Sequence, residues 1–326
     1  MMSIRSLAGA CLAAFVALGA SAVPASAQTY PTRTITMIVP FAAGGPTDVI
    51  SRIVTAHMAQ TLGQSIVIEN VVGAGGTTAT TRAARAANDG YTLITGHMGT
   101  HAASVPLYPK LAYHPEKDFE PVALLAGTPI LILARKDFPP KDLKEFVAYV
   151  KANAEKVNAA HAGIGSVSHA SCELLNAILE IKPVGVPFNG TGPAMNALVG
   201  GQVDYMCDQI VNAVPQIKAG TIKAYAVATP ERNPSLPDVP TTTEAGLPAF
   251  QAQAWNAIFA PKGTSPAIIA TLNAAAIKAL DDDNVRKRLL DLGSVIPAAA
   301  NRTPEALATL VKNEIAKWTP VLKPAT

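Results

Sequence analysis

Val39-Pro40-Phe41-Ala42-Ala43-Gly44-Gly45-Pro46-Thr47-Asp48 joins an apolar stretch, residues 34–40, to a segment whose apolar residues recur at helical spacing. The reading is strand, glycine turn, helix. Glycine lets the chain turn tightly, and proline at the first helical position needs no N–H partner. The N–H groups of a first helical turn have no carbonyl in their own helix, and the helix dipole makes that end electropositive. Such a turn is a ready anion site. In the helix that follows, Val49, Ile50, Ile53, Val54, Met58 and Leu62 form one apolar stripe for packing on a sheet.

The same alternation continues along the chain. Candidate strands are 34–40, 65–69, 91–95, 121–125, 130–134, 157–161, 184–188, 203–207, 222–228 and 254–260. Candidate helices are 46–62, 77–88, 143–154, 168–179, 193–199, 209–219, 266–280, 283–292 and 304–317. This is an α/β pattern with largely parallel sheets. It occurs in two blocks, each followed by an odd strand, 130–134 and 254–260. Those two read as crossovers between lobes, the chain leaving the first near Gly127 and returning near Gln253. The expectation is two lobes, 28–128 plus 253–326 and 129–252, each a mostly parallel sheet flanked by helices, rather than one continuous sheet. The C-terminal helices then pack back on the first lobe.

Arg5 is the sole charge in the first 27 residues, an apolar run follows from residue 12 to 23, and Ala25-Ser26-Ala27 supplies an A-x-A site. Residues 1–27 read as a cleavable signal peptide, too short in its apolar run to span a bilayer. No later run is long enough to do so, so the mature chain is expected to be soluble. Charged residues are 15% of the sequence and no basic cluster stands out, so the formal charge of +3 points to no nucleic-acid partner. The 49% hydrophobic content is ample for a core, and with aromatics at only 5% the helices should pack closely on a sheet.

Turns rich in glycine and hydroxyls recur at 41–47, 73–78, 163–168 and 189–193. In open α/β sheets ligands lie at the carboxyl ends of the strands, so the first, third and fourth of these turns would face one cleft. None of those three contains Lys or Arg. An anion there would rest on backbone N–H groups, Thr47, Ser166, Ser168 and Thr191. Enzyme signatures are missing: Gly73-Ala74-Gly75-Gly76-Thr77-Thr78 lacks the last glycine of G-x-G-x-x-G, and Gly165-Ser166-Val167-Ser168 has the wrong spacing for a nucleophile elbow. His97 and His101 stand four apart, but the residues between them read as loop and no third ligand is evident, so they are placed at the cleft rim rather than on a metal. No cofactor is expected. Cys172 and Cys207 remain after the leader, as either a bridge or two buried thiols.

The chain resembles the substrate-binding receptors of tripartite tricarboxylate transporters, sometimes called the Bug family. The resemblance covers the whole mature sequence. It rests on Tyr30-Pro31, Val39-Pro40-Phe41-Ala42-Ala43-Gly44-Gly45, Asp48, Glu69-Asn70, Gly73-Ala74-Gly75-Gly76, Asp89-Gly90-Tyr91-Thr92-Leu93 and Asp118-Phe119 with Pro121-Val122. It continues in Val186-Pro187-Phe188, Gly200-Gly201-Gln202-Val203-Asp204, Ile217-Lys218-Ala219-Gly220 and Leu236-Pro237-Asp238-Val239-Pro240-Thr241. Each piece is short; their order and spacing together are specific. Pro46 departs from the pattern, where Gly or Ser is common, and removes one N–H donor. Cys207 departs too, where many members carry an apolar residue.

The resemblance implies a type II-like Venus flytrap, a two-lobed periplasmic binding protein that works as a monomer. It implies a small mono- or dicarboxylate ligand, held without a cofactor, and membrane permease subunits as partners. The ligand carboxylate would sit at the first turn, on Phe41, Ala42, Gly44, Gly45, Thr47 and Asp48, with His97 to Thr100 lining the same side. The second lobe would offer the turn with Gly165, Ser166, Ser168 and His169, then Asn189 and Thr191, and Asp208. Competing readings are an exported α/β hydrolase and a ligand-presenting partner of a sensor.

Overall fold

The computed structural model describes residues 30–322; the leader read at residues 1–27 lies outside them. The strands are β1 (Ile35–Val39), β2 (Ile66–Asn70), β3 (Thr92–His97), β4 (Phe119–Arg135), β5 (Asn158–His161), β6 (Val184–Pro187), β7 (Tyr205–Gln209), β8 (Ile222–Val227) and β9 (Gln253–Pro261). The helices are α1 (Pro46–Leu62), α2 (Thr77–Ala84), α3 (Ser104–Leu107), α4 (Leu143–Ala152), α5 (Val167–Leu179), α6 (Thr191–Val199), α7 (Ile210–Lys218), α8 (Pro266–Asp281), α9 (Asp283–Asp291) and α10 (Pro304–Leu322).

Two strand groups meet on β4. In the first, β2, β1 and β3 run parallel, and β9 joins β3 antiparallel. In the second, β6, β5 and β7 run parallel. β4 serves both: from Phe119 to Pro129 it pairs antiparallel with β9, and from Ile130 onward with β7 and β8. The outer strands are therefore parallel, as the β-α alternation requires, and the inner pairings are antiparallel.

The stretches 121–125 and 130–134, expected as separate strands, belong to this one strand of 17 residues. Gly127-Thr128-Pro129 looks like a breaker in sequence. In the fold Gly127 stands opposite Trp255 and Pro129 opposite Gln253, and the Gly127 backbone also exchanges hydrogen bonds with Val295. Bulges between Pro121 and Ala123, Leu124 and Ala126, and Ile132 and Leu133 let the strand bend as it passes between groups. Hydrogen bonding is thus continuous through β4, in place of two separate sheets.

Ile35, Met37, Ile38 and Val39 of β1 are fully buried, and Ile50, Val54 and Met58 of α1 are buried with them. Gly63, at φ 67°, ends α1 in the left-handed conformation that glycine adopts without steric penalty. α8 packs on α1 and β4, and α10 packs on β4, where Trp318 is 1% exposed. The C-terminal helices thus cover the first strand group.

The segment after β3, expected as loop, is a buried helical turn, with Gly99–Ala103 in π-helical geometry. A Cβ on Gly96 would lie 2.3 Å from the His101 ring, and one on Gly99 2.6 Å from the Gly165 carbonyl oxygen. The turn is fixed by close packing that a five-residue window of sequence does not display.

Candidate functional site

Three helices start around one point. The first intrahelical bond of α1 runs from the Val49 N–H to the Gly45 carbonyl, so the Thr47 and Asp48 N–H groups precede it. In α5 the corresponding bond is Ala170 to Ser166, and in α6 Ala194 to Gly190. α1 and α6 are entered through Gly45 and Gly190, neither with a side-chain cap. Their first-turn donors are left for water or a ligand. α5 is capped by Ser166, whose Oγ accepts from the His169 N–H at 3.2 Å.

These ends enclose a small inner cavity lined by Phe41, Gly45, Pro46, Thr47, Asp48, His97, Ala162, Ser166, Val167, Ser168, Thr191 and Gln209. It offers ≈ 10 Å³ to water centres, about enough for one water. No lining residue is Lys or Arg. The positive character of the site comes from helix ends.

Asp48 lines this cavity, but its charge is already satisfied. Its carboxylate accepts from the Gly44 N–H and the Arg52 Nε at 3.0 Å and from the Asn70 amide at 3.0 Å. Burial alone would raise its pKa; the Arg52 hydrogen bonds, with Gly44 and Asn70, outweigh it and hold the carboxyl below its ordinary value. Asn70 also donates to the Phe41 carbonyl at 2.9 Å. Asp48, Asn70 and Arg52 therefore clamp the 41–48 turn in shape.

His97 stacks on Phe41, ring centroids 5.1 Å apart. Its Nδ1 accepts from the Gly99 N–H at 2.8 Å and the Thr100 N–H at 3.3 Å. Burial lowers its pKa to about 3, so the ring is neutral and carries its proton on Nε2. It is a donor without a charge. Ser166 and Ser168 share a hydrogen bond at 3.2 Å, and Ser168 Oγ accepts from the Ala162 N–H at 2.9 Å.

Of the residues expected at the site, Phe41, Gly45, Thr47, Asp48, His97, Ser166, Ser168 and Thr191 stand on the inner cavity. The others support it. The Ala42 N–H donates to the Asn189 carbonyl at 3.0 Å, which ties the first turn to the α6 turn. Gly44 is engaged with Asp48. Thr100 bonds His97 and His101 from behind the wall. The Gly165 N–H donates to His169 Nδ1 at 3.4 Å, and His169 packs edge-on to His161.

Asp208 is fully buried on β7 and does not line the cavity. It is not the cap of α7 either, that position being Gln209. Its Oδ2 accepts from Asn212 Nδ2 at 2.8 Å, and Asn212 donates in turn to the Thr191 carbonyl. Cys172 and Cys207 are both buried free thiols, the Cys207 N–H donating to Cys172 Sγ at 3.1 Å. Burial in the core pushes the Cys207 thiol up, so it stays protonated and packs as a small apolar group.

Ala162, Val167 and Gln209 on the cavity wall, and Asn256 behind it, were not singled out from sequence; Pro46 was read there only as a lost N–H donor, and Asn70 only as part of the family pattern. Asn256 accepts from Thr47 Oγ1 at 3.1 Å and donates to Gln209 Oε1 at 3.1 Å. The one legible hint was an amide inside the apolar run of β9, since buried polar groups are normally hydrogen-bonded.

An outer cavity of ≈ 480 Å³ shares Phe41 and Ala162 with the inner one and is lined further by Gly73–Gly76, Tyr108, His161, Phe188 and Asn189 among others. At its edge the Tyr108 hydroxyl lies 2.7 Å from the Ile164 carbonyl and 3.0 Å from that of Ala74. Gly75 is required there: a Cβ on it would lie 1.7 Å from the Ile164 carbonyl oxygen.

No described helix is long and apolar enough to cross a membrane. Residues 50–326 match the model of the tripartite tricarboxylate transporter family receptor. The chain is 43% identical to the protein in the TAR-I ttuE-ttuC' intergenic region of Agrobacterium vitis, over 95% of this chain and 90% of that one. Among solved structures it is similar to MatC from Rhodopseudomonas palustris with bound malate, at 61% identity and a TM-score of 0.88, covering 90% of this chain and 100% of that one. It is also similar to the periplasmic binding protein BugD, at 43% identity and a TM-score of 0.87, covering 90% and 98%. The two strand groups are thus the two-lobed α/β fold of periplasmic binding proteins, and the chain belongs to the receptor family of tripartite tricarboxylate transporters.

Proposed function

We propose that this chain captures a small dicarboxylate, malate or a close analogue, in the periplasm and delivers it to the membrane permease of its transporter. The observation that carries the reading is the convergence of α1, α5 and α6 ends on a cavity without a cation. Carboxylates are satisfied by such N–H groups and stabilised by the dipoles behind them. The malate bound to the MatC protein gives the size class.

The cleft reads as a binding site rather than a catalytic one. His97 Nδ1 is spent on backbone N–H groups, and the hydroxyls of Ser166 and Ser168 are engaged with each other and with the backbone. On this reading residues 28–128 plus 253–326 form one lobe and 129–252 the other, the chain works as a monomer, and residues 1–27 direct export. A four-carbon diacid needs more room than the inner cavity offers, so the lobes part to admit it and close on it.

The test is mass spectrometry of small acids released from purified protein, followed by calorimetry with malate, succinate and butyrate. One-to-one binding of a diacid with no product formed is expected. Turnover of a bound acid, or binding of no carboxylate, contradicts the proposal.

A further inference from the structure

Gln209 closes the inner cavity at the end of β7 and is 3% exposed. Its Oε1 accepts from Thr128 Oγ1 at 2.7 Å and from Asn256 Nδ2 at 3.1 Å. Asn256 Oδ1 is taken by the Thr47 hydroxyl at 3.1 Å. The chain of donors runs one way: Thr47 to Asn256, and Asn256 together with Thr128 to Gln209. With its oxygen held on both sides, the amide turns its nitrogen away from them, and that NH₂ has no partner among the described residues. Three strands and the α1 turn contribute to this arrangement, so the orientation is built into the fold.

We infer that Gln209 sets the chemical class of the ligand: it requires a hydrogen-bond acceptor, a carboxylate or hydroxyl oxygen, where the ligand meets the cavity wall, and it disfavours an ammonium there. The inference rests on the carboxylate-receptor reading above and narrows it. Buried donors left unpaired by the wrong ligand discriminate strongly. His97, a neutral donor, and the helix ends act in the same sense. Succinate and malate should therefore be preferred to aspartate, which differs from succinate by one ammonium group.

Calorimetric titration of succinate and aspartate into wild type, Gln209→Glu, Gln209→Leu and Thr128→Val decides the matter. Gln209→Glu keeps the oxygen that Thr128 and Asn256 hold but replaces the free donor with an acceptor. It should lower the succinate-to-aspartate affinity ratio by about tenfold or more. Gln209→Leu should weaken succinate by about ten- to hundredfold, the scale of a hydrogen bond to a charged group. Thr128 lies off the cavity wall, and its loss frees the amide to rotate, so the ratio should fall by a few-fold, roughly one neutral hydrogen bond. If Gln209→Glu does not fold, as judged by its melting curve without ligand, Thr128→Val carries the test. A ratio within about twofold of wild type in the folded variants overturns the role of Gln209 while leaving the receptor reading intact. Equal affinity of wild type for the two acids overturns it as well. A wild type that binds neither acid, nor malate, overturns the receptor reading and this inference with it.

Discussion

Asp208 has one oxygen bonded to Asn212 and the other without a hydrogen-bond partner among the described residues, in a fully buried position. Burial raises its pKa to about 7 against the lowering effect of Asn212 and the Gln209 N–H. Between the unfolded value near 3.9 and about 7, the folded state holds a proton that the unfolded state has lost. Stability is therefore full below that window, falls as pH rises through it, and is level above it. His97 and His161, lowered mainly by burial to about 3 and about 4, slope the other way: their contribution is lost as pH falls below the ordinary histidine range. Asp208→Asn leaves them untouched. The melting-temperature difference, variant minus wild type, should grow from pH 4 to pH 7 and then level; parallel curves would rule out a buried titrating Asp208. Ligand ranking should not change, because the residue is off the cavity wall. Gly45 is different. A Cβ there would lie 3.2 Å from Thr191 Oγ1 and 3.6 Å from the Gly192 N–H. Gly45→Val should hold the two turns apart and weaken malate binding by about tenfold or more, the scale of one hydrogen bond to a charged group. Its melting temperature without ligand should stay within a few degrees of wild type. Unchanged affinity in calorimetry would remove the first turn from the site.

At the scale of elements, the contact between the 73–76 turn and the 163–165 turn joins the two strand groups across the outer cavity. Tyr108 holds it through the Ile164 carbonyl. Tyr108→Phe removes that hydroxyl and about 1 kcal/mol of contact. Ligand dissociation measured by stopped flow should speed up about fivefold, with little change in association. An unchanged off-rate would mean that the contact has no part in closure. The turns themselves were legible in sequence. Gly-Gly-Pro at the start of α1 and Asn-Gly-Thr-Gly-Pro at the start of α6 state a helix start in local chemistry, and Ser166 is a cap by residue type. β4 was not legible as one strand, because Gly127 and Pro129 are breakers by propensity and only β9 and Val295 show that they are paired. Gln209 and Asn256 were missed for the same reason: their roles depend on partners 47 residues or more away. Asp208 entered the expected site through the family resemblance; the cavity wall at the end of β7 is formed by its neighbour Gln209.

For the whole molecule, the antiparallel pairings at β4 and β9 make the two crossings part of the hydrogen-bonded framework; on the proposed reading, opening would bend that framework at β4's bulges rather than at a free linker. The site between the groups stays free of Lys and Arg on its wall, and selectivity for acids is assigned to helix ends, His97 and Gln209. A structure of the protein with malate bound tests this most directly. The expected result is a carboxylate on N–H groups of the α1, α5 or α6 starts, within hydrogen-bond distance of Gln209 Nε2, with no Lys or Arg in salt-bridge contact. Malate held by an arginine or lysine, or lying in the outer cavity beside Tyr108 and His161, would contradict it.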